Sequence, residues 1–116
     1  MYLENFSNLN DVLQEFSNSY DHVDEDLKEY NDINVLLAYY ETGNYEGWAF
    51  VLFERVGVLY EVNASHCSCY GLEGQWVPEE TSVEALRHRM NEGNLGSGYY
   101  GDFAGELQKI LNKWEG

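Results

Sequence analysis

The stretch Gly47-Trp-Ala-Phe-Val-Leu-Phe-Glu54 is apolar at nearly every position and rich in aromatic residues. A strand with one wet face alternates apolar and polar side chains. An unbroken apolar run of this kind suits a strand buried on both faces. Arg55-Val-Gly57 follows as a turn, and Val58-Leu-Tyr-Glu-Val-Asn-Ala64 returns with Val58, Tyr60 and Val62 on one side. A hairpin over about 47–63 is therefore expected, with Trp48, Phe50, Leu52, Tyr60 and Val62 as the structural centre. Gln75-Trp-Val77 is a possible third strand, stopped by Pro78.

Around this hairpin the periodicity is helical. Leu9, Val12, Leu13 and Phe16 predict a helix over about 8–19. Residues 20–32 carry only Val23 and Leu27 as aliphatic positions, so they read as a thinly amphipathic helix or an ordered acidic loop. Ile33, Leu36, Leu37 and Tyr40 form another helical stripe, with Gly43 as its stop. Thr81-Ser-Val-Glu84 has the form of a capping box, opening a helix lined by Val83, Leu86 and Met90 that ends near Gly93. After a glycine-rich loop, a last helix from Asp102 carries Phe103, Leu107, Ile110, Leu111 and Trp114. The expected fold is a single α+β domain, 1–116: a small antiparallel sheet packed with N-terminal and C-terminal helices.

Charge narrows the function. The chain has 21 acidic and 6 basic residues among 116, a net of −15. Yet 44% of it is hydrophobic and 16% aromatic, so the acidity belongs to a folded body and not to a disordered tail. Such a surface repels nucleic acid and anionic membranes and attracts basic partners. The distribution is lopsided. Residues 1–54 hold 12 acids against Lys28 alone, and residues 55–116 hold 9 acids against 5 bases. No run is long and apolar enough to span a membrane, and the start lacks a signal-peptide pattern. Two cysteines without an export signal point to a reducing cytoplasm, where the triplets at Asn5 and Asn63 are not glycosylated.

Ser65-His-Cys-Ser-Cys-Tyr-Gly-Leu-Glu-Gly-Gln-Trp76 concentrates chemistry in a short span. His66, Cys67 and Cys69 are zinc-type ligands, but a closed structural site takes four, and the spacing here is Cys-x-Cys. A fourth would have to come from His22, His88 or a carboxylate. A catalytic thiol needs a neighbouring base or cation, which His66, Arg87 or His88 would supply, yet the surrounding negative charge opposes thiolate formation. The third reading is structural. Small cysteines end a strand, while Gly71 and Gly74 allow the sharp path that brings Tyr70, Leu72 and Trp76 to the core. This last reading leads, with no cofactor and no resident metal.

Residues 47–89, and within them the block Gly57-x-Leu-Tyr-Glu-Val-Asn-x-Ser-His-Cys-Ser-Cys-Tyr-Gly-Leu-Glu73 followed by Gln75-Trp-x-Pro-Glu-Glu80, resemble a family of small acidic proteins encoded by bacteriophages and prophages. The resemblance covers over a third of the chain and implies a setting, a phage protein acting in a bacterial cytoplasm. It implies no activity and no site residues.

The densest charge lies outside that block, at Asp21, Asp24, Glu25, Asp26, Glu29 and Asp32. On a helix, Asp21, Glu25, Glu29 and Asp32 would share a face, with successive carboxylates about 6 Å apart. That spacing is close to the phosphate repeat of a DNA strand. Such a row offers a Lys/Arg-lined groove the charge it normally takes from nucleic acid. The simpler reading is a solvated face that aids solubility. The leading expectation is a binding protein that inhibits a host nucleic-acid-handling defence enzyme, such as a CRISPR effector or restriction nuclease. Its partner would be a basic nucleic-acid-binding host protein, with no direct contact to nucleic acid or membrane. The alternatives are a small thiol- or metal-dependent enzyme centred on His66, Cys67 and Cys69, and a non-inhibitory accessory protein that binds through aromatics such as Tyr99 and Tyr100. The glycines of Gly93–Gly101 match no nucleotide-binding spacing.

Overall fold

The computed structural model describes residues 1–18, 22–43, 46–66, 71–97 and 101–115. The chain is α+β. In order it forms β1 (Tyr2–Glu4), α1 (Leu9–Phe16), a short 3-10 helix (Lys28–Tyr30), β2 (Asn34–Gly43), β3 (Glu46–Arg55) and β4 (Val58–His66). There follow β5 (Glu79–Thr81), α2 (Val83–Asn91) and α3 (Ala104–Glu115). The strands build one five-stranded sheet in sequence order, β1-β2-β3-β4-β5. β1 runs parallel to β2 and the remaining pairs are antiparallel, so the sheet is mixed and larger than the expected hairpin with a possible third strand.

β3 is the central strand, and its side chains divide between two cores. Ala49, Val51 and Phe53 point into one, with Phe6, α1 and Leu72. Phe50 and Leu52 point into the other, with α2 and α3. The expected structural centre is found here: Phe50, Leu52 and Val62 are fully buried, and Trp48 and Tyr60 are partly buried. Phe50 stacks on Phe103 of the segment leading into α3, with centroids 4.9 Å apart.

Three expectations are corrected. Of the stripe Ile33, Leu36, Leu37 and Tyr40, the last three belong to a strand and not to a helix, and Ile33 lies just before it. A register shift between Val35 and Leu37 makes Leu36 the extra residue of a β-bulge, so Leu36 and Leu37 both pack toward the α2–α3 core. A bulged, doubly buried strand thereby imitates helical spacing. The fifth strand is Glu79–Thr81, beyond Pro78, and not 75–77. Gln75 meets β4 with its side chain instead: Oε1 accepts from the Ser65 amide at 3.1 Å and Nε2 donates to the Ser65 carbonyl at 2.7 Å. The cap of α2 is Ser82, whose Oγ accepts from the Ala85 amide at 3.1 Å. Thr81 instead ends β5, opposite Leu59.

Helix ends elsewhere follow local chemistry. The Asn8 side chain caps α1 by accepting from the Asp11 amide. α1 stops at Phe16, short of the expected 19, where buried Ser17 donates to the Leu13 carbonyl and accepts from the Asp24 amide. α3 begins at Ala104. The amides of Phe103 and Ala104 both donate to the Gly96 carbonyl. Gly96 has φ +75°, and a Cβ there would lie 2.9 Å from the Ala104 nitrogen, so this approach requires glycine.

Candidate functional site

The acidic segment is held against the sheet by a few side chains. Leu27 and Ile33 are buried, and Val23 and Tyr30 pack at the edge of the α1-side core. Tyr30 meets Phe53 and Trp76 edge-on, with centroids 6.0 and 5.3 Å apart. The Arg55 guanidinium lies 4.8 Å from the Tyr30 ring centre and donates to the Glu29 carbonyl at 2.8 Å. The hairpin tip of β3–β4 thus clamps the segment.

Its backbone is not a continuous α-helix. Amide-to-carbonyl bonds three residues back, from Tyr30 to Leu27, Asn31 to Lys28 and Ile33 to Tyr30, wind it as turns around the 3-10 helix. Two forces account for this. Like charges one turn apart oppose an α-helix, and a stripe of Val23 and Leu27 is too thin to dock one. The regular carboxylate row that a helix would give to Glu25, Glu29 and Asp32 is therefore not formed. Asp21 lies outside the described residues.

The remaining carboxylates divide by role. Asp24 is half-buried and structural: its carboxylate accepts from the Asn18 amide at 2.6 Å, and its carbonyl accepts from Leu27 and Lys28. Glu25 pairs with Lys28 at 2.9 Å, and that hydrogen bond holds its carboxyl below the usual range. Glu25, Asp26, Glu29 and Asp32 are all exposed. The segment thus presents four carboxylates outward from a backbone fixed by Leu27, Tyr30 and Ile33.

A second acidic patch, not foreseen from the sequence, lies on the same side of the sheet. Glu15 of α1 has its carboxyl pushed up by desolvation, then by the charges of Glu73 and Asp11, with His66 opposing. Burial, followed by Glu15 and Glu73, pushes the Tyr40 hydroxyl up to about 12. The His66 ring packs edge-on to Tyr40 at 5.9 Å. It also covers Gly47, where a Cβ would sit 2.4 Å from its Cδ2. The loop bearing Glu73 is fixed by Gln75, which bonds both Ser65 and the Gly71 carbonyl, and by the Gly74 amide on the Phe16 carbonyl. Asp11 and Glu15, one turn apart on the polar face of α1, were visible in the sequence. The approach of Glu73 depends on how its loop folds back.

Of the proposed metal or thiol centre, only His66 lies among the described residues; Cys67, Cys69 and Tyr70 lie outside them, as do Tyr99 and Tyr100. Among the described residues no three His, Cys, Asp or Glu side chains are grouped to hold a metal ion. Arg87 and His88, candidate partners for a thiol, sit on α2, which packs against the opposite face of the sheet from the Tyr40 ring that His66 touches. No helix among the described residues is long and apolar enough to cross a membrane. No protein-family model, curated protein or solved structure matches the chain.

Proposed function

We propose that this protein is a phage-encoded acidic binding protein that inhibits a nucleic-acid-handling enzyme of its bacterial host, by laying carboxylates into that enzyme's basic groove. One observation carries the reading. A chain of net charge −15 fixes Glu25, Asp26, Glu29 and Asp32 on its surface by burying the apolar residues between and beside them. Charges held on an ordered backbone lose less entropy on docking than charges on a free tail. Because the segment is turned and not helical, complementarity rests on the summed field of the face and not on a phosphate-like repeat. Arg55 supports the face from beneath, since its guanidinium is committed to the Glu29 carbonyl and the Tyr30 ring.

The test starts with capture of the intact protein's partner from a bacterial host. The quadruple variant Glu25→Gln, Asp26→Asn, Glu29→Gln, Asp32→Asn is then compared with the unaltered chain. The reading expects a basic nucleic-acid-binding partner, competition with DNA for it, and a variant that keeps its fold but associates more slowly. It also expects wild-type affinity to fall as salt approaches about 0.5 M, where the Debye length is about 4 Å. Equal binding by both forms at low salt would exclude this face. Turnover of a small molecule that is lost on Cys67→Ser would move the function to the His66–Cys69 stretch.

A further inference from the structure

The sheet edge opposite β5 carries a groove of a different character. β1 is only three residues long and pairs with Ala38–Tyr40, and Met1 before it bonds the Leu36 carbonyl and the Ala38 amide, so Asn34 and Val35 at the start of β2 are left uncovered. There the β-bulge turns Leu36 toward α3, and a groove of about 460 Å³ opens between the start of β2 and the end of α3. Its lining is mainly apolar: Val35, Leu36 and Ile110, with Met1 and Trp114. Met1 is 49% exposed and Trp114 38%, which places two of the few exposed large hydrophobics among the described residues at one site. The polar lining is Asn34 and Lys113.

In so acidic a chain the absence of Asp and Glu from the lining among the described residues sets the groove apart. Lys113 strengthens the contrast. Among the described residues no ion pair or hydrogen bond engages its ammonium, whereas Lys28 is paired with Glu25 and Arg89 with Glu61. A mainly apolar groove of this volume, with the Lys113 ammonium, the Met1 ammonium on the Leu36 carbonyl and the Asn34 amide at its wall, has the make-up of a small-ligand site.

We infer that this groove binds a single free amphipathic carboxylate, with the aliphatic chain along Leu36, Ile110 and Trp114 and the head group on Lys113. The occupant is a monomer and not a bilayer. A net charge of −15 opposes approach to an anionic lipid surface. One carboxylate beside Lys113 meets its attraction at contact distance, acids beyond about 8 Å are screened at physiological salt, and the nearer Glu54 carboxylate is occupied in accepting from Asn34 Nδ2 at 3.3 Å. The inference stands apart from the acidic face, since no residue is shared between the two sites.

Isothermal titration of the full chain with sodium dodecanoate, kept below its micellar concentration, tests this. The expected result is saturable binding of one equivalent, weakened about tenfold or more by Lys113→Glu. Lys109→Glu, one turn earlier on α3 and outside the lining, should change it less than about twofold. Both lysines are exposed, so the variants keep the fold, which circular dichroism verifies. No binding, several equivalents, or equal weakening by the two variants would overturn the inference. So would co-sedimentation with phosphatidylglycerol vesicles without binding of the monomer.

Discussion

Replacing Arg89 with Met should destabilise the domain by about 3 kcal/mol, and the structure shows why the figure is neither larger nor smaller. Glu61 lies in β4 with 5% of its surface exposed, among the apolar residues that α2 covers. Arg89 Nη1 reaches its two carboxylate oxygens at 2.6 and 2.7 Å, and the Asn63 amide donates to Oε1 at 2.6 Å. Leaving a buried carboxylate without its cation costs about 3–5 kcal/mol in comparable pairs. Two features set the lower end of that range here: the Arg89 side chain is 34% exposed, and Asn63 still satisfies one oxygen. A third acts the other way. Glu61 stands directly opposite Glu79 in β5, and like charges across a strand pair repel once the guanidinium is gone. Urea unfolding at pH 7 measures the loss directly, and a melting temperature lower by roughly 10–15 °C should accompany it. The double variant Glu61→Leu with Arg89→Met removes the buried charge together with its partner, so it should return to within about 1 kcal/mol of the parent. If Arg89→Met loses under about 1 kcal/mol, or the double variant is no better than the single, the pair does not dock α2 in the way described.

Val56 is 93% exposed at the β3–β4 turn with φ +54°, a conformation that suits Asn or Gly, so Val56→Asn should stabilise the fold by about 1 kcal/mol in the same assay. Glu15 has a folded-state carboxyl raised by burial and by Glu73 and Asp11, so the fold disfavours its charged form. Its contribution is therefore favourable at low pH and is lost as pH rises through the raised value. Glu15→Gln should accordingly be more stable than the parent at pH 7, with the gap closing by about pH 4, as paired urea titrations would reveal. Phe50→Ala, which empties a fully buried site stacked on Phe103, should cost about 3–5 kcal/mol, and a loss below about 1.5 would mean the site collapses freely. Because the net charge is −15, sodium chloride raised from about 0.02 to 0.5 M should increase the melting temperature; a flat response would show that self-repulsion is already offset.

The parts of the fold legible in the sequence are those where one periodicity had no rival. β3 and β4 were readable because the unbroken run at 48–53 and its return across Val56-Gly57 fit a doubly buried hairpin. α1 and α3 were readable because apolar residues three and four apart sit among polar ones. β2 failed for a physical reason. Val35–Tyr40 is apolar throughout, so strand and helix readings both fit, and the bulge at Leu36 set two neighbours on one face as a helical stripe does. β1 and β5, three residues each, bury too little to leave a pattern, and their strand character comes from the neighbours they join. The acidic site was legible as composition but not as geometry. Seeing the anchors meant knowing that Arg55, 26 residues further along, reaches back to Glu29.

The cations decide what the acidic surface can do. A folded chain with 21 acids and 6 Lys and Arg would bring its field near neutrality locally wherever a base sat among acids on the surface. Here the ion pairs among the described residues engage Glu25 and Glu61, and the second of these carboxylates is buried and contributes little outward field. Arg55 is turned onto a backbone carbonyl and a ring, and Arg87 donates to the Asn112 side chain to bridge α2 and α3. Near the acidic segment, Arg55 thus ties the backbone to the sheet, and Lys28 pairs with Glu25. Asp26, Glu29 and Asp32 remain exposed on a segment whose apolar side chains are packed away. On the far edge of the sheet, Lys113 lies beside an apolar groove free of acids among the described residues. The same sheet thus separates two kinds of surface: a broad anionic face on the α1 side, suited to a basic macromolecule, and a narrow apolar groove at the β2–α3 edge, suited to one small anion.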